Sequence, residues 1–321
     1  MKTGITMNPD GTLDQILAAA RLAEEFGFHY FYVPDQGFSR DVYVVATLIA
    51  QATTRIHFGP GVTHPYSRHP AVTAVAIASL DEASGGRAFL GYGAGGSLSL
   101  APLGLERVSP LNACREAVQI ARLLWTGGAV DFEGKQFRLT AAKLRGPCRP
   151  DIEVHWASRG PRMSALGGEI ADVIMLHGIP RFALGSVISH IRAGSRRAGR
   201  TVELQFVTPL AYDDISREAA RIRTVYRLVD STDQVKADLD LSPEVCAEMR
   251  TLVTTIGPQA AAHLVSDEVL KEFVLDGGPG DVAELRRLVD DHDLAGLSLE
   301  IQHPSLAPFV IPRASELFSK V

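Results

Sequence analysis

Residues 56–97 read IHFGPGVTHPYSRHPAVTAVAIASLDEASGGRAFLGYGAGGS, and this stretch determines the expected fold. Two short apolar runs, 56–59 and 88–90, are each typical of a buried strand, and between them Pro70 opens an apolar helix. A loop rich in His, Tyr and Arg follows the first run, and a loop rich in glycine follows the second. The order strand, helix, strand indicates a βαβ unit whose polar residues follow the carboxyl ends of parallel strands.

The same alternation of apolar strand and helix recurs along the whole chain of 321 residues. Eight strands alternating with helices favour an α/β fold of the (β/α)8 TIM-barrel type over a doubly wound sheet, and such barrels reach this length as one domain. We therefore expect a single domain over residues 1–321, with ligands bound where the strands end. The predicted strands are 2–7, 30–33, 56–59, 88–90, 153–157, 173–176, 202–211 and 296–301.

Two segments depart from this alternation. Residues 129–144 include VDFEGKQFRL, whose alternating polarity around Glu133-Gly134 predicts a hairpin that makes an excursion from the barrel. Residues 216–274 have a wholly helical pattern. We expect this second segment to be a helical insertion near the barrel mouth.

The composition argues against several classes of protein. The net charge is −5 without runs of like charge, so neither nucleic acid nor an anionic membrane is expected as a partner. The first residues, MKTGITMNPD, lack the apolar core of a signal peptide, and the longest apolar window is far too short for a membrane span. Cys114, Cys148 and Cys246 lie far apart, without CxxC or metal-ligand spacing. We therefore expect a cytoplasmic protein with reduced thiols that acts on a small molecule.

Gly93, Gly95 and Gly96 lie in the loop that follows the fourth predicted strand. Glycine allows the backbone to approach a phosphate closely and to direct amide N–H groups at it. The loop matches neither the GxGxxG fingerprint nor the Walker motif, which argues against a Rossmann fold or an NTPase. A glycine turn with a purely structural role remains the alternative.

The residues Ser158, Arg159, Gly160 and Pro161 join the fifth predicted strand to a helix. The amides of a helix N-terminus together with an arginine suit an anionic group. The alternative is an ordinary helix start, with Ser158 as the N-cap and Pro161 in the first turn.

Asp35, His64 and Tyr66 are the side chains that the pattern singles out for chemistry. Asp35 follows the second predicted strand, where a turn aspartate that bonds its own backbone is the alternative. His64 and Tyr66 share the loop after the third strand with His69, which also fits a helix-entry residue. No third metal ligand is implied and no HExxH motif is present, so we do not expect a metal site. No serine has the surroundings of a nucleophile elbow.

At these residues the sequence resembles the bacterial luciferase-like superfamily, and within it the coenzyme F420-dependent methylenetetrahydromethanopterin reductases. The motifs that carry the resemblance follow in family order over about the first 180 residues. They are MKTGI, VPDQ, RDVY, GPGVTHPYSRHPA, GRAFLGYGAG, LERVSPLNACREAVQIARLLWTG, FEGKQFRL and RGPRMSALGGEIADVIML.

The resemblance implies a flavin or deazaflavin ring lying across the carboxyl ends of the barrel strands. It implies a non-prolyl cis peptide at Gly61-Val62 whose bulge supports the ring, and a role for Asp35 in binding the cofactor. The region of Gly95 and Gly96 and the segment 158–161 are then expected to hold the cofactor tail through backbone amides. The cofactor would carry the redox chemistry and the protein would orient it.

Three positions depart from the methylenetetrahydromethanopterin reductase pattern. Thr6 stands where those enzymes carry a glutamate, Gln36 where they carry a histidine, and Gly96 where they carry an aspartate. These are the ionisable groups best suited to move a proton, so the identical pterin reaction does not follow from the resemblance. His64 and Tyr66 are the replacement acids that the sequence offers.

The sequence therefore predicts an oxidoreductase that transfers a hydride between reduced F420 and an organic, possibly pterin- or folate-like, substrate. Three alternatives stay open. They are an FMN-dependent luciferase-like monooxygenase, a flavin-free methylenetetrahydrofolate reductase that uses NAD(P)H, and a barrel that binds a cofactor without turnover. The resemblance also implies a homodimer formed through the second and third helices.

Overall fold

Eight parallel strands form a barrel in the computed structural model, which describes residues 1–321. The strand order is β3-β2-β1-β10-β9-β8-β7-β4. The first and last members of this series meet through single bridges, Phe58 to Ala88 and Thr63 to Tyr92, so the barrel is nearly closed. The strands are β1 Lys2–Met7, β2 Tyr30–Val33, β3 His57–Pro60, β4 Leu90–Tyr92, β5 Val130–Glu133, β6 Arg138–Ala142, β7 Val154–Ala157, β8 Val173–His177, β9 Glu203–Pro209 and β10 Gly296–Ile301.

Helices surround the barrel, and additional helices lie within the loops at its mouth. Their bounds are α1 Leu13–Glu25, α2 Val42–Ala52, α3 Pro70–Ser84, α4 Ser97–Leu100, α5 Pro110–Trp125, α6 Pro161–Ile170, α7 Leu184–Ala198, α8 Asp214–Val229, α9 Asp233–Asp238, α10 Pro243–Thr255, α11 Asp267–Lys271, α12 Pro279–His292 and α13 Ala307–Ser319. No helix is long and apolar enough to cross a membrane.

The predicted TIM barrel is confirmed, and the fourth strand shows the clearest shift in position. It runs from Leu90 to Tyr92 rather than over 88–90. The reason is Gly91: a Cβ atom there would lie 1.9 Å from the carbonyl oxygen of Pro60. Without a side chain, the backbone passes this close to the neighbouring chain, so the strand continues into the glycine run.

Capping residues and an N-terminal proline mark where two of the helices begin. Thr12 caps α1, with Gln15 completing the capping box that the sequence contains. Pro70 opens α3, and the side chain of His69 accepts a hydrogen bond from the amide of Ala71 as its N-cap. His69 is therefore a helix-entry residue.

The hairpin β5–β6 projects from the barrel and is anchored by one buried carboxylate. Glu116 of α5 is 7% exposed and accepts hydrogen bonds from the amides of Lys135, Gln136 and Phe137 in the hairpin turn. These hydrogen bonds satisfy amide N–H groups that a tight turn leaves without backbone partners.

The helical segment between β9 and β10 begins two residues before the sequence predicts, because Asp213 caps α8 through the amide of Ser216. Helices α8, α10 and α11, together with the segments that flank and connect them, bury a separate apolar cluster of 12 residues. The bridge between Leu210 and Leu275 ties the ends of this segment together at the barrel mouth. The arginine-bearing face of α8 is thereby brought over the carboxyl ends of the strands.

Candidate active site

A cavity of about 610 Å³ opens at the carboxyl ends of the barrel strands. Most of the candidates singled out in the sequence line it, whereas Tyr66 and Pro161 do not. The candidates that line it are Asp35, Gly61, Val62, His64, Gly93, Gly95, Gly96, Ser158, Arg159 and Gly160. A cavity at this face of a barrel is the usual place for an active site.

One wall of the cavity is formed by backbone with little side chain. The Gly61–Val62 peptide bond is cis, as the family resemblance implies. A Cβ atom on Gly61 would lie 2.4 Å from Cβ of Tyr32, and one on Gly93 would lie 2.8 Å from a methyl group of Val62. Neither glycine has room for a side chain, so the backbone itself forms this wall, and Val62 supplies a partly exposed side chain on it.

Asp35 is held by the loop after β3. Its Oδ2 accepts a hydrogen bond of 2.6 Å from the Thr63 hydroxyl. Thr63 is itself tied to β4 and the loop after it, because its amide donates to the Gly91 carbonyl and its carbonyl accepts from the Gly93 amide, each at 2.9 Å. The partner of Asp35 is thus a neighbouring loop and not its own backbone, so the simple turn-aspartate alternative is wrong.

His64 is 2% exposed and forms part of the cavity wall. Burial lowers the pKa of His64, although the charge of Asp35 acts in the opposite direction. Its Nδ1 accepts a hydrogen bond from the Tyr66 amide at 3.3 Å. Both observations favour the neutral ring, which is a poor source of protons near neutral pH.

Tyr66 lies outside the cavity, and its hydroxyl donates to the Val108 carbonyl at 3.4 Å. Burial raises the pKa of Tyr66 to about 12. A phenol with this pKa and this position does not meet the requirements of the replacement acid.

The helix α6 starts without a side-chain cap. Gly160 occupies the N-cap position. The Ser158 hydroxyl lies 3.2 Å from the Ser164 hydroxyl and does not cap the helix, so the alternative in which Ser158 is the N-cap is wrong. The uncapped first-turn amides can bind an anion that enters the cavity. Arg159 donates to the Arg227 carbonyl at 2.8 Å and joins this region to α8.

The glycine loop after β4 meets a carboxylate from the helical segment. Asp230, at the end of α8, accepts from the Ser97 amide at 3.1 Å and from its hydroxyl at 2.6 Å. Arg107 donates to the Gly95 carbonyl at 3.2 Å and lies 3.7 Å from Asp230. The Ser97 amide and the carbonyls of Gly95 and Gly96 are thus already occupied, which leaves the amides of Gly95 and Gly96 for a ligand.

A group of polar side chains that was not predicted from the sequence lies on the opposite side of the mouth. His177 ends β8, Glu300 lies near the end of β10, and Arg227 projects from α8; all three line the cavity. His177 and Glu300 lie at or near the carboxyl ends of strands, so their position in the sequence could have identified them as candidates. Arg227 offered no such signal, because only folding brings the helical segment over the barrel.

Because histidine side chains are buried in this fold, we expect its stability to fall at acidic pH. Burial lowers the pKa of His64 and His155 below the value of about 6.5 that an unfolded chain has. The unfolded state therefore binds more protons below this pH, and the free energy of unfolding falls as the pH falls from 7.5 to 5.5. Urea unfolding at both pH values measures the effect. His155→Gln is expected to reduce the slope, and a stability that is equal or higher at pH 5.5 would contradict the prediction.

The comparisons with known proteins agree with this geometry. The family model described as luciferase-like monooxygenase matches residues 2–291. The 5,10-methylenetetrahydromethanopterin reductase of Archaeoglobus fulgidus is 33% identical over 294 residues, which covers 88% of this chain and 88% of that enzyme. An F420-dependent hydroxymycolic acid dehydrogenase of Mycobacterium tuberculosis is 33% identical over 172 residues, half of this chain and 48% of the relative.

A solved structure extends the likeness to the whole fold. The coenzyme F420-dependent tetrahydromethanopterin reductase from Methanopyrus kandleri has a TM-score of 0.84 and 26% sequence identity, and the match covers 97% of this chain and 98% of that chain. With the family model matching most of its length and the barrel mouth built as described, this chain belongs to the luciferase-like monooxygenase family.

Proposed function

We propose that the protein is an oxidoreductase that transfers a hydride between coenzyme F420 and an organic substrate of the pterin type. The observation that carries the proposal is the glycine wall of the cavity at Gly61 and Gly93, where added side chains would collide with the protein itself. The similarity to 5,10-methylenetetrahydromethanopterin reductases over 88% of the chain supports F420 as the cofactor.

The residues present fit a deazaflavin with an acidic tail. The wall made by Gly61, Val62 and Gly93 would support the ring, and Asp35, held by Thr63, would accept hydrogen bonds from it. The backbone at Gly95 and Gly96 and the uncapped α6 amides after Ser158, with Arg159, would hold the tail and its phosphate. When bound, F420 supplies a hydride donor or acceptor.

The protein itself would position the bound ring and shield it from water. Val62 and Ala157 line the cavity as an apolar floor, and beneath it they pack against a buried cluster that includes Tyr32, Phe89 and Met175. Such a floor excludes water from one face of a bound ring and leaves the other face to the substrate.

A titration tests the proposal. Purified protein is expected to quench the fluorescence of F420 at a defined stoichiometry and to bind FMN much more weakly. Turnover is then assayed with reduced F420 and methylenetetrahydromethanopterin or methylenetetrahydrofolate. Tight FMN binding with oxygen uptake would favour the monooxygenase alternative, and activity with NADH alone the flavin-free reductase. Bound F420 without turnover on any probe would favour the non-catalytic barrel.

The proposal includes a homodimer formed through α2 and α3. Val44 on α2 and Val72 and Val75 on α3 are between 47% and 57% exposed, and exposed apolar groups on adjacent helices suit a second copy.

A pair of charges on α3 is expected to break this dimer. Val72→Glu combined with Val75→Glu should yield a monomer in light scattering after size exclusion, because the charges would be desolvated at the interface. Phe309→Glu on α13, also an exposed apolar position at 58%, is the matched control and should leave the mass unchanged. An unchanged mass for the α3 variant would overturn the proposed interface.

The remaining proposals concern organisation and location. A continuous core of 61 buried residues draws on elements from β1 to α13, which supports one domain over residues 1–321. Cys114, Cys148 and Cys246 are all free, which supports a reducing compartment such as the cytoplasm.

A further inference from the structure

The barrel mouth has two sides with different chemistry. The candidates for cofactor binding follow β2, β3, β4 and β7, which are consecutive around the barrel. The other side is formed by the ends of β8, β10 and β1, and it is polar. His177, Glu300 and Thr6 lie there, and all line the same cavity.

The polar side contains an ion-paired chain of three side chains. His177 Nε2 lies 2.9 Å from Glu300 Oε2, and the same carboxylate pairs with the Arg227 guanidinium. Glu300 is 8% and Arg227 4% exposed, whereas the His177 side chain is 26% exposed to the cavity. His177 Nδ1 makes no hydrogen bond within the protein, so this nitrogen is the one that can reach a ligand.

Glu300 is an orienting group and not a proton source. Burial acts to raise its pKa, but the charges of Arg227 and His177 outweigh burial and hold the pKa well below its usual range. A carboxylate that stays ionised orients an imidazole through Nε2 and stabilises its protonated form.

Three further atoms point to a polar ligand at this side. Thr6 Oγ1, Asn8 Nδ2 and Arg227 Nη1 are buried without hydrogen-bond partners, and their residues line the cavity. These residues are 1%, 6% and 4% exposed. Buried polar atoms without partners are costly, so their position here indicates a ligand with polar atoms of its own.

The register of β1 and β10 explains why this side of the mouth has a carboxylate even though position 6, where the related reductases carry a glutamate, is a threonine. Thr6 of β1 is paired with Glu300 of β10 in adjacent parallel strands. A glutamate at position 6 would place two carboxylates on paired residues of adjacent strands. Thr6 avoids this, and the carboxylate on this side of the mouth lies on β10, one strand away from position 6.

We propose that His177, oriented by Glu300, is the general acid that protonates the substrate during hydride transfer. This inference rests on the proposed function. In a methylene group bridged between two nitrogens, one C–N bond would break, and the nitrogen that leaves would form a bond to the proton released from Nδ1 of the imidazolium. The carbon would take the hydride that bound, reduced F420 would supply. The oxidised cofactor would release one proton to solvent, and solvent would return one to His177.

Substitution and labelling test the assignment together. His177→Gln is expected to lower kcat with methylenetetrahydromethanopterin and reduced F420 at least about 100-fold, with F420 affinity changed less than about threefold. His263→Gln, at an exposed histidine outside the cavity, is the control and should retain full activity. Added imidazole should restore part of the rate of His177→Gly.

The pH profile adds a readout that a structural role would not change. The groups that face His177 are Glu300 on β10, Arg223 and Arg227 on α8, and Arg159 after β7. A histidine that acts as the general acid makes kcat fall as the pH rises, whereas a glutamine releases no proton. This limb should be absent in His177→Gln.

Labelling needs no substrate. Diethyl pyrocarbonate should modify His177 in the free protein, as mapped by mass spectrometry, and bound F420 should protect it, whereas His263 should be modified equally in both states. A wild-type protein that does not bind F420 overturns the proposed function. F420 binding with an unprotected His177, or with full activity in His177→Gln, overturns this inference alone. Loss of the basic limb in His64→Gln but not in His177→Gln would assign the acid to His64 instead.

Discussion

Replacing Glu300 with alanine is expected to lower the free energy of unfolding by about 3–5 kcal/mol. The substitution leaves the buried Arg227 guanidinium without its counter-ion, and Arg227 already has one buried nitrogen without a partner. A desolvated charge without a partner is the reason that breaking a buried ion pair is so costly. Urea denaturation followed by circular dichroism measures the loss.

The control for this prediction is an ion pair in solvent. Glu316 pairs with Lys320 across one helical turn of α13, and both side chains are more than half exposed. Glu316→Ala should therefore change stability far less than Glu300→Ala does. Equal losses for the two variants would show that Glu300 and Arg227 are well solvated in solution, and the ion-paired chain to His177 would lose its basis.

Gly93→Val is expected to weaken F420 binding by more than about 100-fold, because the side chain has no room except in the ring site. Its Cβ would lie 2.8 Å from a methyl group of Val62 and 3.1 Å from the Ala157 carbonyl oxygen. The branched side chain must displace Val62 or enter the cavity, and overpacking of either kind is unfavourable. Fluorescence titration with F420 measures the affinity.

Gly280→Val is the matched control, because a Cβ on Gly280 meets no atom within 4 Å and the residue lies outside the cavity. It should bind F420 as the wild type does. A thermal melt of each variant separates loss of the ring site from loss of the fold, and Gly93→Ala provides a milder change at the same position. Unchanged F420 affinity in a folded Gly93→Val would place the cofactor elsewhere.

The barrel was predictable because its signals are local. Apolar runs bounded by glycine and proline mark strands, and Thr12 with Gln15 or Pro70 after His69 marks the start of a helix. Strand ends are also local, so residues such as Asp35 and His64 were found from position alone. The boundary of β4 was missed because it depends on Gly91 approaching another strand, which no window of sequence contains.

The sequence by itself determined the alternation of strands and helices, the side of the barrel at which polar loops gather, and the glycines that leave that side open. Only the tertiary structure decided which of those polar groups act together. Glu300 and Thr6 are neighbours through strand register, and Arg227 joins them from a helix more than 70 residues earlier in the chain than Glu300. The physical reason is that ionisation and proton transfer depend on distance and burial, which local propensities do not encode.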